Sequence, residues 1–230
     1  MICWSCERAA GAEPFCESCG AVQPPGPVAD RFAVLGAPRR YDLDLTAIEA
    51  RYRELTRKLH PDRFARADPR ARRASLEQSV RLNEAWKTLK DPIRRAEYML
   101  SLAGVGVDVG GGGGGGDTDQ PGAREGLSTR ATLRVPQTLL AEVLELRSEL
   151  GEARQTKDDV KVQAMAAAMR ARATAATQAV AAGLDAGDAA GLEQAAREIV
   201  ALRYYRRFLD EVERHDEENA AAAPRAEDAS

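Results

Sequence analysis

The sequence predicts an all-α protein: a small four-cysteine knuckle, then a helical hairpin with short flanking helices, then a C-terminal three-helix bundle. Three observations support this prediction. Apolar residues recur at helical spacing through two long stretches, and no stretch alternates as a β-strand does, apart from a few residues at the cysteine pairs. All four cysteines lie within residues 1–19. A run of glycines at residues 110–116 separates the two helical stretches.

Changes in composition divide the 230 residues into six segments. They are the knuckle at residues 1–22, a Pro/Gly-rich linker at 23–30, a first helical module at 31–103, a Gly-rich flexible linker at 104–133, a second helical module at 134–218 and a disordered tail at 219–230. No window holds 18 consecutive apolar residues, and the N-terminus lacks the basic and apolar regions of a signal peptide. We therefore expect a cytoplasmic protein with no membrane contact, which agrees with the absence of cysteines from residues 20–230.

Charge is distributed unevenly along the chain. Residues 31–103 hold 17 Lys and Arg against 10 Asp and Glu, a net charge of +7, whereas the rest of the chain has a net charge of −10. A basic module is therefore joined to acidic ones. This asymmetry alone leaves nucleic-acid binding open as a function.

The cysteines form two Cys-x2-Cys pairs with nine residues between them. Two such pairs can bring four thiolates to one point, which suits a tetrahedral zinc ion held by Cys3, Cys6, Cys16 and Cys19. Because so short a segment cannot bury a stable core, the metal must supply the folding free energy, about 10–16 kcal/mol for structural zinc. Four protein ligands leave no open position, so we expect one structural Zn²⁺. A redox-active dithiol pair and an iron–sulfur cluster remain alternatives.

The first helical module is predicted to contain a helical hairpin. Its first helix begins at Asp44 or Thr46, either of which can cap the N-terminus, and ends before Pro61, whose ring cannot continue the hydrogen-bond ladder. One face of this helix is apolar and consists of Ile48, Tyr52, Leu55 and Leu59. A second helix is predicted over residues 69–90, and a short third helix begins at Pro92.

The second helical module is predicted to contain three helices, over about residues 136–154, 157–182 and 189–218. Helical-wheel positions give the first of them two apolar stripes. One stripe is Leu139, Val143, Leu146 and Leu150, and the other is Leu140 and Leu144. The last helix repeats the pattern with Ile199, Leu202 and Leu209 against Val200, Tyr204 and Phe208. Either each helix is buried between two neighbours, or the second stripe is an exposed partner site.

His60 lies in the segment "RKLHPDRF", directly before Pro61 and Asp62. A catalytic pair of His60 and Asp62 would lack a nucleophile in any recognisable context. A metal site would lack further histidines, because the only other one is His215. A purely structural interpretation is a histidine at a helix C-terminus, where it interacts with the helix dipole.

Residues 31–103 resemble a J-domain. The resemblance rests on "RFAVLGAPRRYDLDLTAIEARYRELTRKLHPDRF" and "RLNEAWKTLKDPIRRAEYML", which give a short entry helix, a basic helix, a His-Pro-Asp loop, a long helix and a short final helix. In that family the loop and the basic helix dock on a DnaK-class chaperone and accelerate its ATP hydrolysis. The chaperone-binding residues that the resemblance implies are His60, Pro61 and Asp62, with Arg51, Arg57, Lys58 and Arg63 as electrostatic contributors.

Most of the chain is similar to the HscB type, the J-domain co-chaperones of iron–sulfur cluster assembly. The similar segments are "VLGA" (34–37), "LLAEVLELRSEL" (139–150) and "LRYYRRFLDEV" (202–212), and "CWSC…FCESCG" resembles the metal-binding extension of some members. The resemblance implies two partners, a DnaK-class chaperone (HscA-like) and an iron–sulfur scaffold protein (IscU-like). The scaffold contacts that it implies are Leu140, Leu144, Glu145, Glu152 and Tyr204.

The resulting hypothesis is a co-chaperone, without enzymatic activity of its own, that delivers a cluster scaffold to its chaperone. A general J-domain co-chaperone for unfolded proteins is the alternative, although residues 104–133 contain no Phe and the C-terminal part is a short helical bundle. A nucleic-acid binder would need positive charge beside the cysteines, whereas residues 1–22 hold one Arg against three Glu. We therefore expect no nucleic-acid partner.

Overall fold

Helices make up almost all of the regular structure in residues 1–26, 30–107, 132–133 and 137–222, which are the residues that the computed structural model describes. The predicted all-α class is confirmed. The chain divides into two units, Met1–Arg95 and Ala96–Ser230. Much of the predicted Gly-rich linker (residues 108–131), part of the first linker (27–29) and most of the predicted tail (223–230) lie outside the described residues.

The first unit contains the cysteine knuckle and the helical hairpin. After the knuckle come α1 (Arg31–Val34), α2 (Leu45–Leu59), a 3-10 turn (Pro61–Phe64) and α3 (Pro69–Leu89). The next helix, α4 (Pro92–Leu102), begins in the first unit and ends in the second.

Aspartate caps begin the helices of the first unit. The Asp44 carboxylate accepts hydrogen bonds from the backbone N–H groups of Thr46 and Ala47, at 3.0 and 3.1 Å, so Asp44 and not Thr46 is the N-cap of α2. Asp68 and Asp91 accept equivalent bonds at the starts of α3 and α4, and each is followed by a proline. Local sequence therefore fixes where these helices start.

The predicted apolar stripe of α2 packs against α3. The Tyr52 ring stacks on Trp86 with ring centroids 5.2 Å apart, and the Tyr52 hydroxyl donates a hydrogen bond to Asn83 Oδ1 at 3.0 Å. The buried apolar side chains of the two helices are Ile48, Leu55, Leu59, Ala71, Ala74, Leu82, Ala85 and Leu89. The hairpin thus has a continuous core that holds the end of α2 against α3.

The second unit contains the three predicted C-terminal helices, α5 (Gln137–Gln155), α6 (Asp159–Ala186) and α7 (Ala189–Ala222). Two short strands, β1 (Gly106–Val107) and β2 (Thr132–Leu133), pair in parallel at either end of the predicted linker. One core cluster joins all three helices and consists of Leu150, Ala153, Val162, Met165, Ala166, Met169, Phe208 and Val212.

Glycines allow α6 and α7 to approach closely at the turn between them. α6 continues through Gly183 and ends at Ala186, and the cap residue that follows, Gly187, has a φ of 67° in the left-handed region. A Cβ added to Gly183 would overlap the backbone oxygen of Gly191, and a Cβ on Gly191 would lie 2.7 Å from the oxygen of Gly183. Neither position has room for a side chain.

Among the helices that the structure describes, none combines the length and the apolar content that a membrane-spanning segment needs.

Candidate functional site

His60 lies at the junction of α2 and the 3-10 turn and is the cap of both. Its Nδ1 accepts a hydrogen bond from the backbone N–H of Asp62 at 3.3 Å and lies 3.6 Å from Asp62 Oδ2. In the neutral imidazole the proton is therefore assigned to Nε2. The side chains of His60 and Asp62 are 54% and 89% exposed, so the loop presents them to solvent.

The loop is anchored from α3. The hydroxyl groups of Ser75 and Ser79 both donate hydrogen bonds to the carbonyl oxygen of Leu59, at 2.6 and 3.0 Å. This oxygen belongs to the last turn of α2, where a helix leaves its carbonyl groups without intrahelical partners. Both Leu59 and Ser75 are buried. The two serines therefore fix the end of α2, and the loop with it.

The basic face of α2 is partly neutralised by Glu54. Its carboxylate contacts Lys58 Nζ at 2.6 Å and Arg51 Nη1 at 3.3 Å. The hydrogen bond from Lys58, followed by that from Arg51, lowers the pKa of Glu54 below its ordinary value. Arg57 and Arg63 are exposed and form no ion pair with any residue within the described ranges.

Arg51 makes a second ion pair that sequence patterns did not indicate. Its Nη2 lies 2.5 Å from a carboxylate oxygen of Glu13 in the cysteine knuckle. Four cations were predicted to contribute to chaperone binding. Arg51 is half-buried and forms ion pairs with two carboxylates, whereas Arg57, Lys58 and Arg63 are exposed.

The four cysteine sulfurs converge, as the sequence predicts. All of them lie within 4.8 Å of one another, with Cys3 Sγ 3.7 Å from Cys19 Sγ and Cys6 Sγ 3.8 Å from Cys16 Sγ. Four sulfurs at ~2.3 Å from a tetrahedral zinc ion would be about 3.8 Å apart. The donor set therefore fits one tetrahedral metal ion and has no position left for substrate.

The knuckle is an internal repeat with an offset of 13 residues. In its first half the Cys3 N–H donates to Arg8 O at 2.8 Å, and in its second half the Cys16 N–H donates to Ala21 O at 2.9 Å. Bridges Ile2–Ala9 and Phe15–Val22 repeat in the same way. The residue after each Cys-x2-Cys pair has a positive φ, 60° at Glu7 and 73° at Gly20. Each half therefore presents its two thiols on a similar tight turn.

Hydrogen bonds tune the thiols of the knuckle. Burial raises the pKa of Cys3, but bonds from the backbone N–H groups of Cys6 and Ser5 and from Cys19 outweigh burial and lower the pKa to about 6. The backbone N–H of Cys19 is the main cause that lowers the pKa of Cys16, against the opposing effect of burial. Backbone N–H groups thus favour the thiolate, the form that binds metals, at Cys3 and Cys16. At Cys6 the bond from the Arg8 backbone lowers the pKa, but burial and the hydrogen bonds with the other three thiols outweigh it and raise the pKa to about 11.

The two apolar stripes of α5 have different environments. Leu150 is buried and Leu146 packs against the core, whereas Leu140 and Leu144 are 39% and 67% exposed. Glu145 and Glu152 are exposed, and at about 100° per residue they lie on the side of Leu144 away from the core. The exposed leucines therefore lie between the core and an acidic edge.

Helix α7 differs from α5, because both of its predicted stripes are largely buried. Ile199, Val200, Leu202 and Phe208 are at most 6% exposed. Tyr204 is half-buried and lines a small surface depression with Val143, Met169 and Phe208. Tyr204 therefore lies on the side of α5 that carries Val143, the residue directly before Leu144 in the sequence.

Two family models match the chain. The DnaJ domain matches residues 30–98, and the HSCB C-terminal oligomerisation domain matches residues 135–213. The chain belongs to the HscB family of J-domain proteins. The matched regions correspond to the helical hairpin and to the α5–α7 bundle.

Solved HscB structures have the same fold. The crystal structure of the human co-chaperone protein HscB superposes with a TM-score of 0.71 at 23% identity, over 94% of this chain and 98% of the human chain. Chaperone HscB from Vibrio cholerae gives a TM-score of 0.67 at 26% identity, over 83% of this chain and 99% of the other.

Within this HscB-type chain, the predicted site residues form three separate groups. His60, Pro61 and Asp62 form the loop, the four cysteines form one cluster, and Leu140 and Leu144 form an exposed pair on α5. Sequence reasoning missed Ser75, Ser79 and Glu13. Their partners lie 16, 20 and 38 residues away in the chain, so no local motif could have indicated them.

Proposed function

We propose that the protein is a co-chaperone of iron–sulfur cluster assembly. It binds a cluster scaffold protein of the IscU type through α5 and α7, delivers the scaffold to a DnaK-class chaperone of the HscA type, and stimulates that chaperone's ATPase. The observation that carries this proposal is an exposed His-Pro-Asp loop, anchored from α3, in a chain that matches both the DnaJ domain and the HscB C-terminal domain.

The loop is suited to docking and not to chemistry of its own. Pro61 limits the conformations of the loop, which reduces the ordering cost of binding. The Asp62 carboxylate is free to accept a charge-assisted bond from an arginine of the chaperone. Arg57, Lys58 and Arg63 are exposed around it and would steer an acidic surface toward the loop. The ATP-hydrolysing groups belong to the chaperone, so we propose no enzymatic activity for this chain.

The exposed pair Leu140 and Leu144 supports a scaffold-binding surface on α5. Leu140 and Leu144 lie one turn apart on one face of α5, where they form an apolar surface that a partner could bury. Tyr204 adds an amphipathic ring on the core side, and Glu145 and Glu152 supply an acidic edge. A partner with an apolar patch beside basic residues fits this arrangement.

The cysteine knuckle is proposed to hold one structural Zn²⁺. Cys3, Cys6, Cys16 and Cys19 would be the four ligands, and the bound ion would fold the knuckle without entering any reaction. The proposed location is the cytoplasm, whose reducing conditions keep free cysteines available for metal.

The deciding experiment uses the two histidines of the chain as a matched pair. The His60→Gln protein should lose stimulation of the chaperone ATPase and keep its helical circular dichroism. His215→Gln, the same exchange in α7, should stimulate as the wild type does. Full stimulation by His60→Gln would overturn the proposed docking. Stimulation that responds equally to an unfolded client and to a cluster scaffold would favour a general folding co-chaperone.

A further inference from the structure

The two halves of the knuckle differ at one buried position. Ala10 and Gln23 occupy equivalent sites, 13 residues apart, and donate equivalent backbone hydrogen bonds to Met1 O at 2.9 Å and to Pro14 O at 2.8 Å. Both residues are buried. Alanine has no polar side chain, whereas Gln23 places an amide inside the knuckle.

The Gln23 amide points at the cysteine cluster. Its Nε2 donates to Cys3 Sγ at 3.2 Å and to the Ala21 carbonyl oxygen at 2.8 Å. Because a carbonyl oxygen can only accept, the contact with Ala21 fixes which end of the amide is the nitrogen. Gln23 is only 2% exposed, and its Oε1 has no hydrogen-bond partner among the described residues. Burying an unpaired amide oxygen is unfavourable. The two hydrogen bonds that Nε2 donates are therefore what Gln23 contributes at this position.

An N–H donor at this place has a direct use in a metal-bound site. Four thiolates around one divalent cation leave two uncompensated negative charges in a partly buried cluster. A hydrogen bond to a sulfur stabilises that charge and orients the ligand, as outer-shell partners do for other metal ligands. Cys3 is one of the two buried cysteines of the four, where water can do least to stabilise the charge.

The same residue attaches the knuckle to the hairpin. The backbone carbonyl oxygen of Gln23 accepts a hydrogen bond from Nε2 of Gln78 in α3, at 3.0 Å. The side chain of Gln23 therefore contacts the cysteine cluster while its main chain contacts α3.

We propose that Gln23 is a positioning residue of the metal site, which holds the Cys3 thiolate through its side-chain amide and anchors the knuckle to α3 through its carbonyl group. The proposal does not depend on the chaperone or scaffold functions. It distinguishes Cys3, which receives the amide donor of Gln23, from its equivalent Cys16, for which the matching position is Ala10 and has no polar side chain.

The test compares full-length Gln23→Met with full-length Gln78→Met. Both exchanges replace an amide by an uncharged side chain of similar length, but only the first removes the N–H donor to sulfur. Gln23→Met should lower Zn²⁺ affinity, measured by competition with a chelator, by about 10–100-fold. In the Co²⁺-loaded protein it should also shift the sulfur-to-cobalt charge-transfer band to lower energy, because the Cys3 thiolate becomes a stronger electron donor.

The control has a defined outcome as well. Gln78→Met should keep the charge-transfer band of the wild type, because the amide of Gln23 still donates to Cys3. Three results would each overturn the proposal: an unchanged band and affinity in Gln23→Met, an equal shift in both variants, or failure of excess Co²⁺ to form the four-thiolate spectrum in Gln23→Met. The last result would assign Gln23 to folding of the knuckle alone.

Discussion

Arg51 of the basic helix and Glu13 of the cysteine knuckle form an ion pair with 2.5 Å between Nη2 and the carboxylate oxygen. Arg51 is also one of the four cations that the J-domain resemblance implies as contributors to chaperone docking. The knuckle therefore supplies an acid that competes for a charge of the docking surface. Both side chains are partly exposed, so the pair is screened by salt and contributes only modestly.

We predict that Glu13→Gln increases chaperone stimulation at low ionic strength. A surface ion pair is worth up to about 1 kcal/mol, so the gain in apparent affinity for the chaperone should be at most about fivefold. It should vanish at high ionic strength. The measurement is ATPase stimulation against co-chaperone concentration. Glu17→Gln is the control, since it makes the same charge change in the knuckle; an equal gain in that variant would show that net charge, and not release of Arg51, is responsible.

Removal of the exposed apolar surface should weaken scaffold binding. We predict that Leu140→Ala combined with Tyr204→Ala lowers scaffold affinity at least about tenfold, because truncation of central interface side chains often costs more than ~1 kcal/mol each. Calorimetry with purified scaffold measures the change, and chaperone stimulation should be unaffected. Leu76→Ala, at an exposed leucine of α3, is the matched control. Unchanged affinity in the double variant would remove α5 and α7 from the proposed interface.

Two glycine-to-alanine exchanges should change stability in opposite directions. At Gly183 the added Cβ overlaps the backbone of Gly191, so we predict a loss of about 1–3 kcal/mol in the free energy of unfolding. At Gly151 in α5 nothing lies within 4 Å of the added Cβ, so we predict a gain of about 0.5–1 kcal/mol. Urea denaturation followed by circular dichroism measures both. A neutral Gly183→Ala would mean that the two helices can separate at no cost.

High pH should destabilise the first unit through Tyr41. Burial raises the pKa of Tyr41 above its ordinary value, while the charge of Arg95, whose guanidinium lies 5.0 Å from the ring centroid, opposes the rise. The folded form keeps the Tyr41 proton to higher pH than the unfolded chain does. The stability that protonated Tyr41 contributes is therefore complete below the ordinary tyrosine pKa of ~10, and it is lost as the pH rises through the higher pKa of the folded form. Tyr41→Phe should therefore lose less stability than the wild type as the pH rises past about 10. Tryptophan fluorescence during denaturation measures the loss in both proteins, and a parallel loss would exclude Tyr41 as the cause.

Metal removal should unfold the knuckle and leave the helices intact. The knuckle's own cluster consists of Cys3, Ala10 and Cys16 with Cys6 and Ala21 against them, which is too small a core to fold without metal. With a chelator, amide hydrogen exchange should rise throughout residues 1–22, while helical circular dichroism stays constant. Persistence of slow exchange in residues 1–22 would show that the knuckle is held by the hairpin instead.

Local sequence rules predicted the helices well, because their ends are set by short-range chemistry. Asp44 and Asp68 cap their helices through bonds to residues two or three positions away, and Pro61 and Pro92 act through their own rings. The spacing of the cysteines likewise predicted the convergence of their sulfurs. Gly183 did not mark the end of its helix, since α6 passes through it and ends at Ala186, with Gly187 as its cap.

Periodicity could not decide which apolar stripes are covered. Leu144 and Val200 occupy equivalent second stripes, yet the first is exposed and the second is buried. The difference depends on which neighbouring helix lies against each face, and that is a property of the tertiary fold. The contacts of Glu13, Gln23 and Gln78 could not be predicted for the same reason, because each joins segments that are distant in the sequence.

The two serine bonds to Leu59 have a consequence for inhibitor design. A peptide of residues 45–64 would contain every proposed loop residue and all four cations, but it would lack Ser75 and Ser79. The carbonyl group of Leu59 would then be hydrogen-bonded to water. The peptide would lose conformational entropy when the loop becomes fixed on binding. A competitor for the chaperone should therefore include α3, and a cross-link between α2 and α3 is a more promising modification than additional charge.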